Sequence, residues 1–249
     1  MWSTIHRWII GDMGLEGEFQ YQAIHIYTVL AVVAVVVVTL FIGCSKRVNK
    51  AQKQQLLTGI AIFQLAFELV WRLLYITVKG DTLLCWWPAF PCNVGGILIP
   101  IIALCNWEKG KKLFYLFGFV GGVLTFALPE GIFCRDVMVF PILKSVLQHT
   151  GLLLIPALEY AMGKFRPTLR HMPWVTVGLL IHLANCEGIT RLLGLTGDYM
   201  FFRSGLPFVI PGVPQAITLS VFALLVLVVL SFASDWKGSV QCLKSKKQT

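Results

Sequence analysis

The stretch YTVLAVVAVVVVTLFIGC, residues 27–44, decides the class of fold, because eighteen residues pass without a Lys, Arg, Asp or Glu. A hydrophobic run of this length predicts a helix that crosses a lipid bilayer. The composition points the same way, since 57% of the 249 residues are hydrophobic and only 13% are charged. That charged share is about half of what a soluble globular chain carries. The sequence therefore predicts an integral membrane protein.

Six further apolar runs follow residues 27–44, separated by polar connections. At about 20 residues for each crossing plus loops, the chain is long enough for about six to eight spanning helices. We predict an all-α membrane protein, a seven-transmembrane-helix bundle that forms a single membrane domain over residues 1–249. The predicted spans are about 21–43, 56–78, 91–106, 113–133, 141–162, 174–195 and 214–234.

The Lys and Arg residues predict the orientation. Fourteen of the 21 fall in the connections after spans one, three and five and in the C-terminal tail, whereas four fall on the other side. Cytoplasmic loops carry the excess of Lys and Arg, so we predict the N-terminus outside and the C-terminus in the cytoplasm. The same clusters account for the net charge of +9 without a nucleic-acid partner. The expected location is a plasma membrane in a bacterium or an endomembrane in a eukaryote.

The sequence has no pattern typical of a cofactor or metal site. Its seven Cys include no C-x-x-C pair and no zinc-like spacing, and neither a P-loop nor a GxGxxG motif is present. The stretch GFVGG, residues 118–122, lies inside an apolar run and favours close helix packing. Cys85 and Cys134 fall on the predicted outer side, where both a disulfide and separate thiols are compatible with the compartment. We expect no metal and no soluble cofactor.

Two acid–base pairs lie inside predicted spans, where an ionisable group is costly unless it is paired or hydrated. Glu68 and Arg72 are four residues apart and therefore share one helix face, and Glu187 and Arg191 repeat this spacing in span six. We expect Glu68 and Arg72 to face the bundle interior. For each pair two interpretations are open, a packing ion pair within one helix or part of a substrate site.

A thiol and an imidazole share one predicted depth. Cys92 opens span three, followed by Asn93, and His149 lies in span five, so both fall in the outer half with Arg72, Glu187 and Arg191. An activated Cys needs a neighbouring base, so we expect Cys92 and His149 to lie within reach of a direct or water-bridged hydrogen bond in an outward-facing cavity. The competing interpretation is that Cys92 is a small packing residue. Further polar groups near mid-depth are Glu68 and Asn185.

Four segments carry a resemblance in the same order along the chain. They are PCNVGGILIPIIAL (91–104), LKSVLQHTGLLLIP (143–156), KFRPTLRHMPW (164–174) and NCEGITRLLGLTGDYMFF (185–202). They resemble motifs of the YwaF-like family of multipass proteins, which includes transmembrane protein 164, and the resemblance runs from about residue 56 to 234. Two positions depart from the family pattern: Phe90 stands where the family has a His, and Thr150 separates His149 from Gly151.

The resemblance implies a seven-helix membrane protein. In the transmembrane protein 164 branch it also implies a fatty-acyltransferase that remodels ether phospholipids with a Cys, which carries the acyl group, and a His. The family Cys falls on Cys92 and the family His falls on His149.

Three functional hypotheses follow. The first is a membrane-embedded Cys/His acyltransferase that forms a thioester on Cys92 and uses a phospholipid donor and a lysolipid acceptor. The second is a lipid hydrolase that uses the same site when water reaches the thioester first. The third is a non-enzymatic seven-helix transporter or receptor that binds a small ligand in a polar cavity. The residues expected to hold the oxyanion or substrate are Asn93, Glu68, Arg72, Asn185, Glu187 and Arg191.

Overall fold

The structure is a computed structural model that describes residues 2–80, 82–129, 131–195, 197–199 and 215–235. Its described residues form helices and no sheet, and one isolated antiparallel bridge joins Glu16 to Arg135. The helices are α1 Trp2–Ile10, α2 Ala23–Cys44, α3 Lys50–Lys79, α4 Thr82–Trp86, α5 Pro91–Leu104, α6 Glu108–Ala127, α7 Phe140–Ala161, α8 Met172–Leu183, α9 Thr190–Leu192 and α10 Gln215–Ser234. A π-helix, Ala184–Ile189, joins α8 to α9, and a 3₁₀ turn, Leu169–His171, precedes α8.

Each of the seven predicted spans contains a helix, but length and apolarity assign a membrane crossing to only some of them. Within the described residues, α2, α3 and α7 are long and apolar enough to cross a membrane. Shorter apolar helices are α5 and the Leu224–Ser234 part of α10. The number of crossings and the orientation stay predictions. Five basic residues used for the orientation lie outside the described residues: Arg203, Lys237, Lys244, Lys246 and Lys247.

Local signals explain where the central helices begin and end. Asn49 accepts a hydrogen bond from the Gln52 backbone N–H, and the Gln52 side chain accepts one from the Asn49 N–H, which is a capping box. Gly80 ends α3 in the left-handed conformation at φ 71°. Pro91 and Pro141 stand in the first turns of α5 and α7, where a missing N–H is tolerated.

The prediction that span two begins near residue 56 describes only the apolar part of α3, which begins at Lys50. The first turn is polar, so apolarity did not include it, whereas the capping box starts the helix earlier. Lys53 lies in this added part, and its Nζ donates to the Gly43 carbonyl at 2.6 Å. The polar N-terminal part of α3 therefore hydrogen-bonds to the C-terminal end of α2.

The N-terminal region contains structure that the sequence did not predict. Trp8 in α1 donates from Nε1 to the Met138 carbonyl at 2.9 Å and packs on Phe140 with ring centroids 5.3 Å apart. Residues 15–19 then hydrogen-bond to residues 133–136. These contacts join positions more than 110 residues apart, so no local sequence pattern predicts them. Trp8 and residues 15–19 are thereby held against residues 133–140.

Glycines allow the central helices to approach closely. A Cβ added to Gly122 of α6 would lie 2.9 Å from Leu153 Cδ2 of α7, so the interpretation of GFVGG as a packing motif is confirmed. A Cβ at Gly96 of α5 would lie 2.5 Å from Glu68 Oε1 of α3. Helices α3, α5 and α7 contact one another in pairs. Polar side chains of α3 and α7, Glu68 and Gln148, therefore meet at Gly96 of α5.

Candidate functional site

Glu68 is the centre of a buried polar cluster. Its Oε1 accepts from Gln148 Nε2 at 2.7 Å and from Gln64 Nε2 at 3.3 Å. Its Oε2 accepts from Trp71 Nε1 at 2.9 Å and pairs with Arg72. Glu68 and Arg72 are 2% and 3% exposed, which confirms that both face the interior.

The Arg72 guanidinium is bound along one edge only. Its Nη1 donates to the Glu68 carboxylate and to the Glu68 backbone carbonyl, the latter at 2.6 Å. Its Cζ lies 4.4 Å from the centre of the Trp71 ring. The other two nitrogens, Nε and Nη2, are buried and make no hydrogen bond to any described residue.

Two residues of α7 connect this cluster to the start of α5. Gln148 Nε2 also donates to Asn93 Oδ1 at 3.0 Å, so one amide links α3 to α5. Lys144 Nζ donates to Asn93 Oδ1 at 3.1 Å and to Gln148 Oε1 at 2.9 Å, and it lies 4.2 Å from the centre of the Trp71 ring. We refer to the whole set as the Glu68 network: Gln64, Glu68, Trp71, Arg72, Asn93, Lys144 and Gln148.

Sequence reasoning missed Gln148 and left Lys144 without a role. The available signal was their spacing, because Lys144 and Gln148 are four residues apart inside an apolar run and therefore share a helix face. The same rule had already singled out Glu68 and Arg72.

Cys92 lies beside the Glu68 network in the first turn of α5. The thiol is partly buried, packs against the apolar core and lies 3.9 Å from Asn93 Oδ1. It interacts electrostatically with Lys144 and Glu68. Asn93 Oδ1 is therefore the atom that the thiol and the Lys144 ammonium share.

His149 follows Gln148 in α7 and is buried. Its imidazole ring hydrogen-bonds to Ser145 of the same helix. Its Nδ1 lies 2.7 Å from the Ser145 carbonyl oxygen and 3.3 Å from Ser145 Oγ. A carbonyl oxygen only accepts, so Nδ1 carries the proton and Nε2 is the basic nitrogen of the neutral ring.

The structure does not place the thiol and the imidazole in direct contact. No hydrogen bond among the described residues joins Cys92 to His149. Consecutive helix positions point about 100° apart at 3.6 residues per turn. Gln148 faces α3 and α5, whereas the His149 ring contacts Phe126 of α6 at 6.4 Å between centroids. The catalytic pair stays a prediction.

Asn185 holds the segment that leads into Cys92. Its Oδ1 accepts from Trp87 Nε1 at 3.0 Å, and its Nδ2 donates to the Pro88 carbonyl at 2.8 Å. The neighbouring Cys186 Sγ donates to the Ala89 carbonyl at 3.0 Å. These contacts come from the π-helix, a feature often found at functional sites. Asn185 thus positions the chain just before Pro91.

A model of the TMEM164 family matches residues 20–232, which is most of the chain and includes all of the residues above. The chain belongs to the TMEM164 family. The predicted resemblance to transmembrane protein 164 is therefore confirmed, and family membership and the apolar helices together identify an integral membrane protein. No curated protein and no solved structure matches the chain.

In this TMEM164-family member the second acid–base pair lies at the surface. Arg191 Nη2 donates to Glu187 Oε2 at 2.5 Å, one helical turn apart. Their side chains are 59% and 25% exposed, in contrast to the buried pair of α3. The ion pair within one helix is thus formed, and a role of either residue in substrate binding stays a prediction.

A second buried ion pair joins α6 to α7. Lys111 Nζ lies 2.9 Å from Glu159 Oε2, and both side chains are fully buried. The same ammonium binds Asn106 Oδ1 at 2.7 Å and Glu108 Oε1 at 2.8 Å. This partnership was not predicted, because Lys111 falls in the connection before predicted span four (113–133), whereas Glu159 lies inside predicted span five (141–162).

An apolar cavity of about 330 Å³ lies between α2, α6, α7 and α10, and the residues that line it include Leu40, Tyr115, Phe119, Pro156 and Leu230. None of the predicted site residues lines it, so the predicted polar cavity stays a prediction. In the described part of the chain, no group of three or more His, Cys, Asp and Glu is placed to hold a metal ion. No disulfide joins Cys85 to Cys134.

Proposed function

We propose that this chain is a membrane-embedded acyltransferase that carries a fatty-acyl group as a thioester on Cys92 and passes it between phospholipids. The observation that supports it is the position of Cys92, a partly buried thiol in the first turn of α5 that shares Asn93 Oδ1 with the Lys144 ammonium. A nearby cation and a helix N-terminus both favour the thiolate, which is the attacking species.

In the first half of the reaction, Cys92 gives its proton to His149 Nε2 and the thiolate attacks the ester carbonyl of the donor phospholipid. The ester C–O bond breaks, and the departing lysophospholipid takes the proton from His149 as an alcohol. In the second half, the acceptor hydroxyl gives its proton to His149 and attacks the thioester. The C–S bond breaks, and Cys92 recovers the proton.

Asn93 is the proposed oxyanion donor. Its Oδ1 accepts from Cys92, Lys144 and Gln148, so its Nδ2 group is the end of the amide that remains to donate. Donors fixed in advance by a network stabilise the developing charge of a tetrahedral intermediate. His149 must approach Cys92 for the proton transfer, and catalytic hydrogen bonds often tighten only when substrate is bound.

The proposal includes seven crossings with the N-terminus outside, which puts Cys92 in the outer half of the membrane. The lipids then come from the outer or lumenal leaflet. An accessibility experiment tests this orientation: a membrane-impermeant thiol reagent is applied to sealed membranes that contain single-Cys variants. Labelling of Cys134 from outside and of Cys44 only after permeabilisation is expected, and the reverse pattern would reject the orientation.

The acyl-transfer step is tested by incubating purified protein with a diacyl phospholipid labelled in its acyl chains and a lysophospholipid. We expect hydroxylamine-sensitive label on Cys92. We also expect label in the diacyl product that forms from the lysophospholipid acceptor. Cys92→Ser should lose both, whereas Cys105→Ser, which changes an exposed thiol at the other end of α5, should keep both.

The same experiment separates the other hypotheses. Labelled free fatty acid in place of diacyl product identifies the hydrolase. Absence of label from Cys92 in the parent, with no released fatty acid, rejects both enzymatic hypotheses and leaves the transporter or receptor.

A further inference from the structure

Arg72 presents an unused hydrogen-bonding edge inside the protein. The side chain is 4% exposed, and its Nη1 is occupied by Glu68. Its Nε and Nη2 are buried and have no partner among the described residues. The N–H bonds of these two nitrogens run side by side, which is the fork that grips two oxygens of a phosphate or carboxylate.

The Glu68 network carries more positive than negative charge. Its charged members are Glu68, Arg72 and Lys144, and the two cations lie within 4.4 Å of the centre of one Trp71 ring. One carboxylate therefore faces two cations in a place that is largely removed from water. A buried charge that is not compensated is strongly disfavoured, so this arrangement favours an additional anion.

We infer that Arg72 and Lys144 form a binding site for the phosphate group of a membrane phospholipid. The free edge of Arg72 binds two phosphate oxygens, and Lys144 supplies the second positive charge. The inference rests on the proposed function for the choice of a phospholipid over other anions. It adds to that proposal the part of the substrate that the protein recognises.

The position of Arg72 along α3 fits a lipid phosphate. A helix of 30 residues is about 45 Å long, close to the thickness of a bilayer with its head groups. Arg72 lies seven residues before the end of α3 at Lys79, which is about 10 Å of helix. This depth is near the boundary between the head groups and the hydrocarbon, where phosphate and ester groups lie.

The Glu68 network also relates the phosphate site to the proposed nucleophile. Arg72 pairs with Glu68, Glu68 binds Gln148, and Gln148 binds Asn93, the residue next to Cys92. The proposed phosphate site and the proposed nucleophile therefore belong to one continuous set of hydrogen-bonded residues. Lys144 and Cys92 are only partly buried, so the Glu68 network reaches the molecular surface at these two residues.

The test is a binding measurement that needs no turnover, made on the full chain with Cys92→Ser. The probes are dioleoylphosphatidylcholine, dioleoylglycerol, which has the same acyl chains but no phosphate, and inorganic phosphate. Native mass spectrometry of the detergent-solubilised protein measures the affinity for each. The compared variants are Arg72→Lys, which keeps the charge beside Glu68 but loses the fork, and Arg7→Lys as its control, which changes the Arg of the exposed pair with Asp12.

We expect the phosphatidylcholine to bind about ten-fold more tightly than the diacylglycerol, since bidentate charged hydrogen bonds are strong. Arg72→Lys should remove this preference and leave diacylglycerol binding unchanged, and Arg7→Lys should change neither. Equal binding of the two lipids, or an unchanged preference in Arg72→Lys, would overturn the inference. Inorganic phosphate that binds through Arg72 without any preference for the phospholipid would overturn the lipid assignment and identify a soluble anion.

A second variant decides the result if Arg72→Lys does not fold. Lys144→Gln removes one cation and leaves the Glu68–Arg72 pair in place, and it should weaken phosphatidylcholine binding several-fold. An unchanged affinity in this variant rejects the site. Binding is measured on Cys92→Ser, which cannot form a thioester, so the binding result does not depend on acyl transfer. A phosphate preference in this variant, together with no acyl transfer by the parent, would reject only the proposed enzyme. Acyl transfer by the parent without a phosphate preference would reject only this site.

Discussion

The chain contains the same acid–base pair twice, and the two copies have opposite surroundings. Glu68–Arg72 and Glu187–Arg191 each place a Glu four residues before an Arg. The side chains of the first pair are 3% and 4% exposed, whereas those of the second are 25% and 59% exposed. Spacing alone therefore predicts that an ion pair forms, but not what the pair does for the protein.

The difference comes from the neighbouring helices. Gly96 of α5 brings a backbone without a side chain against Glu68, and Gln148 of α7 supplies a second-helix hydrogen bond. Glu187–Arg191 lies where the π-helix passes into α9, with one partner exposed to the surroundings of the protein. Burial makes the first pair costly to break, and exposure makes the second nearly dispensable.

The largest expected effect is the loss of the Glu68 charge. Glu68→Gln leaves the Arg72 charge buried without its counter-charge, so we expect the free energy of unfolding to fall by about 3–5 kcal/mol. The matched change Glu187→Gln at the exposed pair should cost about 0–1 kcal/mol. Unfolding of the purified variants in mixed micelles with increasing SDS measures both, and equal losses would show that burial does not distinguish the pairs.

A smaller effect is expected where α5 meets the Glu68 network. The Cβ of Gly96→Ala would lie 2.5 Å from Glu68 Oε1 and 2.9 Å from Gln148 Nε2, so the side chains must move. We expect a loss of about 1–3 kcal/mol in the free energy of unfolding. Gly59→Ala in α3 is the control, because no heavy atom lies within 4 Å of the added Cβ. It should be neutral or stabilising by up to about 1 kcal/mol, and a loss equal to that of Gly96→Ala would contradict the close approach.

Loss of the Asn185 hydrogen bonds should destabilise the connection before Cys92. Asn185→Ala removes the acceptor of Trp87 Nε1 and the donor to the Pro88 carbonyl, and we expect a cost of about 1–3 kcal/mol. Hydrogen exchange should rise in residues 87–95 more than in the middle of α7. Trp87→Phe removes the same hydrogen bond from its other end, so the two changes should not add. Additive costs would mean that the hydrogen bond contributes nothing.

The smallest expected effect is the change of the ion-pair coupling free energy with salt concentration. A double-mutant cycle on Glu187–Arg191 should give a coupling free energy of about 0.3–0.5 kcal/mol that disappears as the ionic strength rises. The same cycle on Glu68–Arg72 should give a coupling that salt does not change, because buried pairs are poorly screened. Salt dependence of the buried coupling would indicate that water and ions reach Arg72.

Much of the site was predictable one helix at a time. The spacing of Glu68 and Arg72 predicted the ion pair, and the cost of a charge in a membrane predicted that it faces inward. The spacing of Lys144 and Gln148 indicated that they share one face of α7, but it did not indicate which helices that face contacts, so the partners from other helices were not predictable. Positions of Cys92 and His149 at the same depth did not fix their separation, since depth leaves the rotation of each helix about its axis undetermined.

The sequence by itself determined the membrane class, the family and the starts of α5 and α7, whereas apolarity alone began span two at residue 56 and missed the capping box at Asn49. Apolar runs, the capping box and the prolines of α5 and α7 all act within a few residues, so their physics is complete in the local chain. Only the tertiary structure decided which pair is buried, which residue Lys144 binds and how α1 is fastened to the connection after α6. Those outcomes depend on how α3, α5 and α7 are rotated and how closely Gly96 lets them approach. Contacts between distant segments depend on the packing of all of them at once, and no local stretch specifies that.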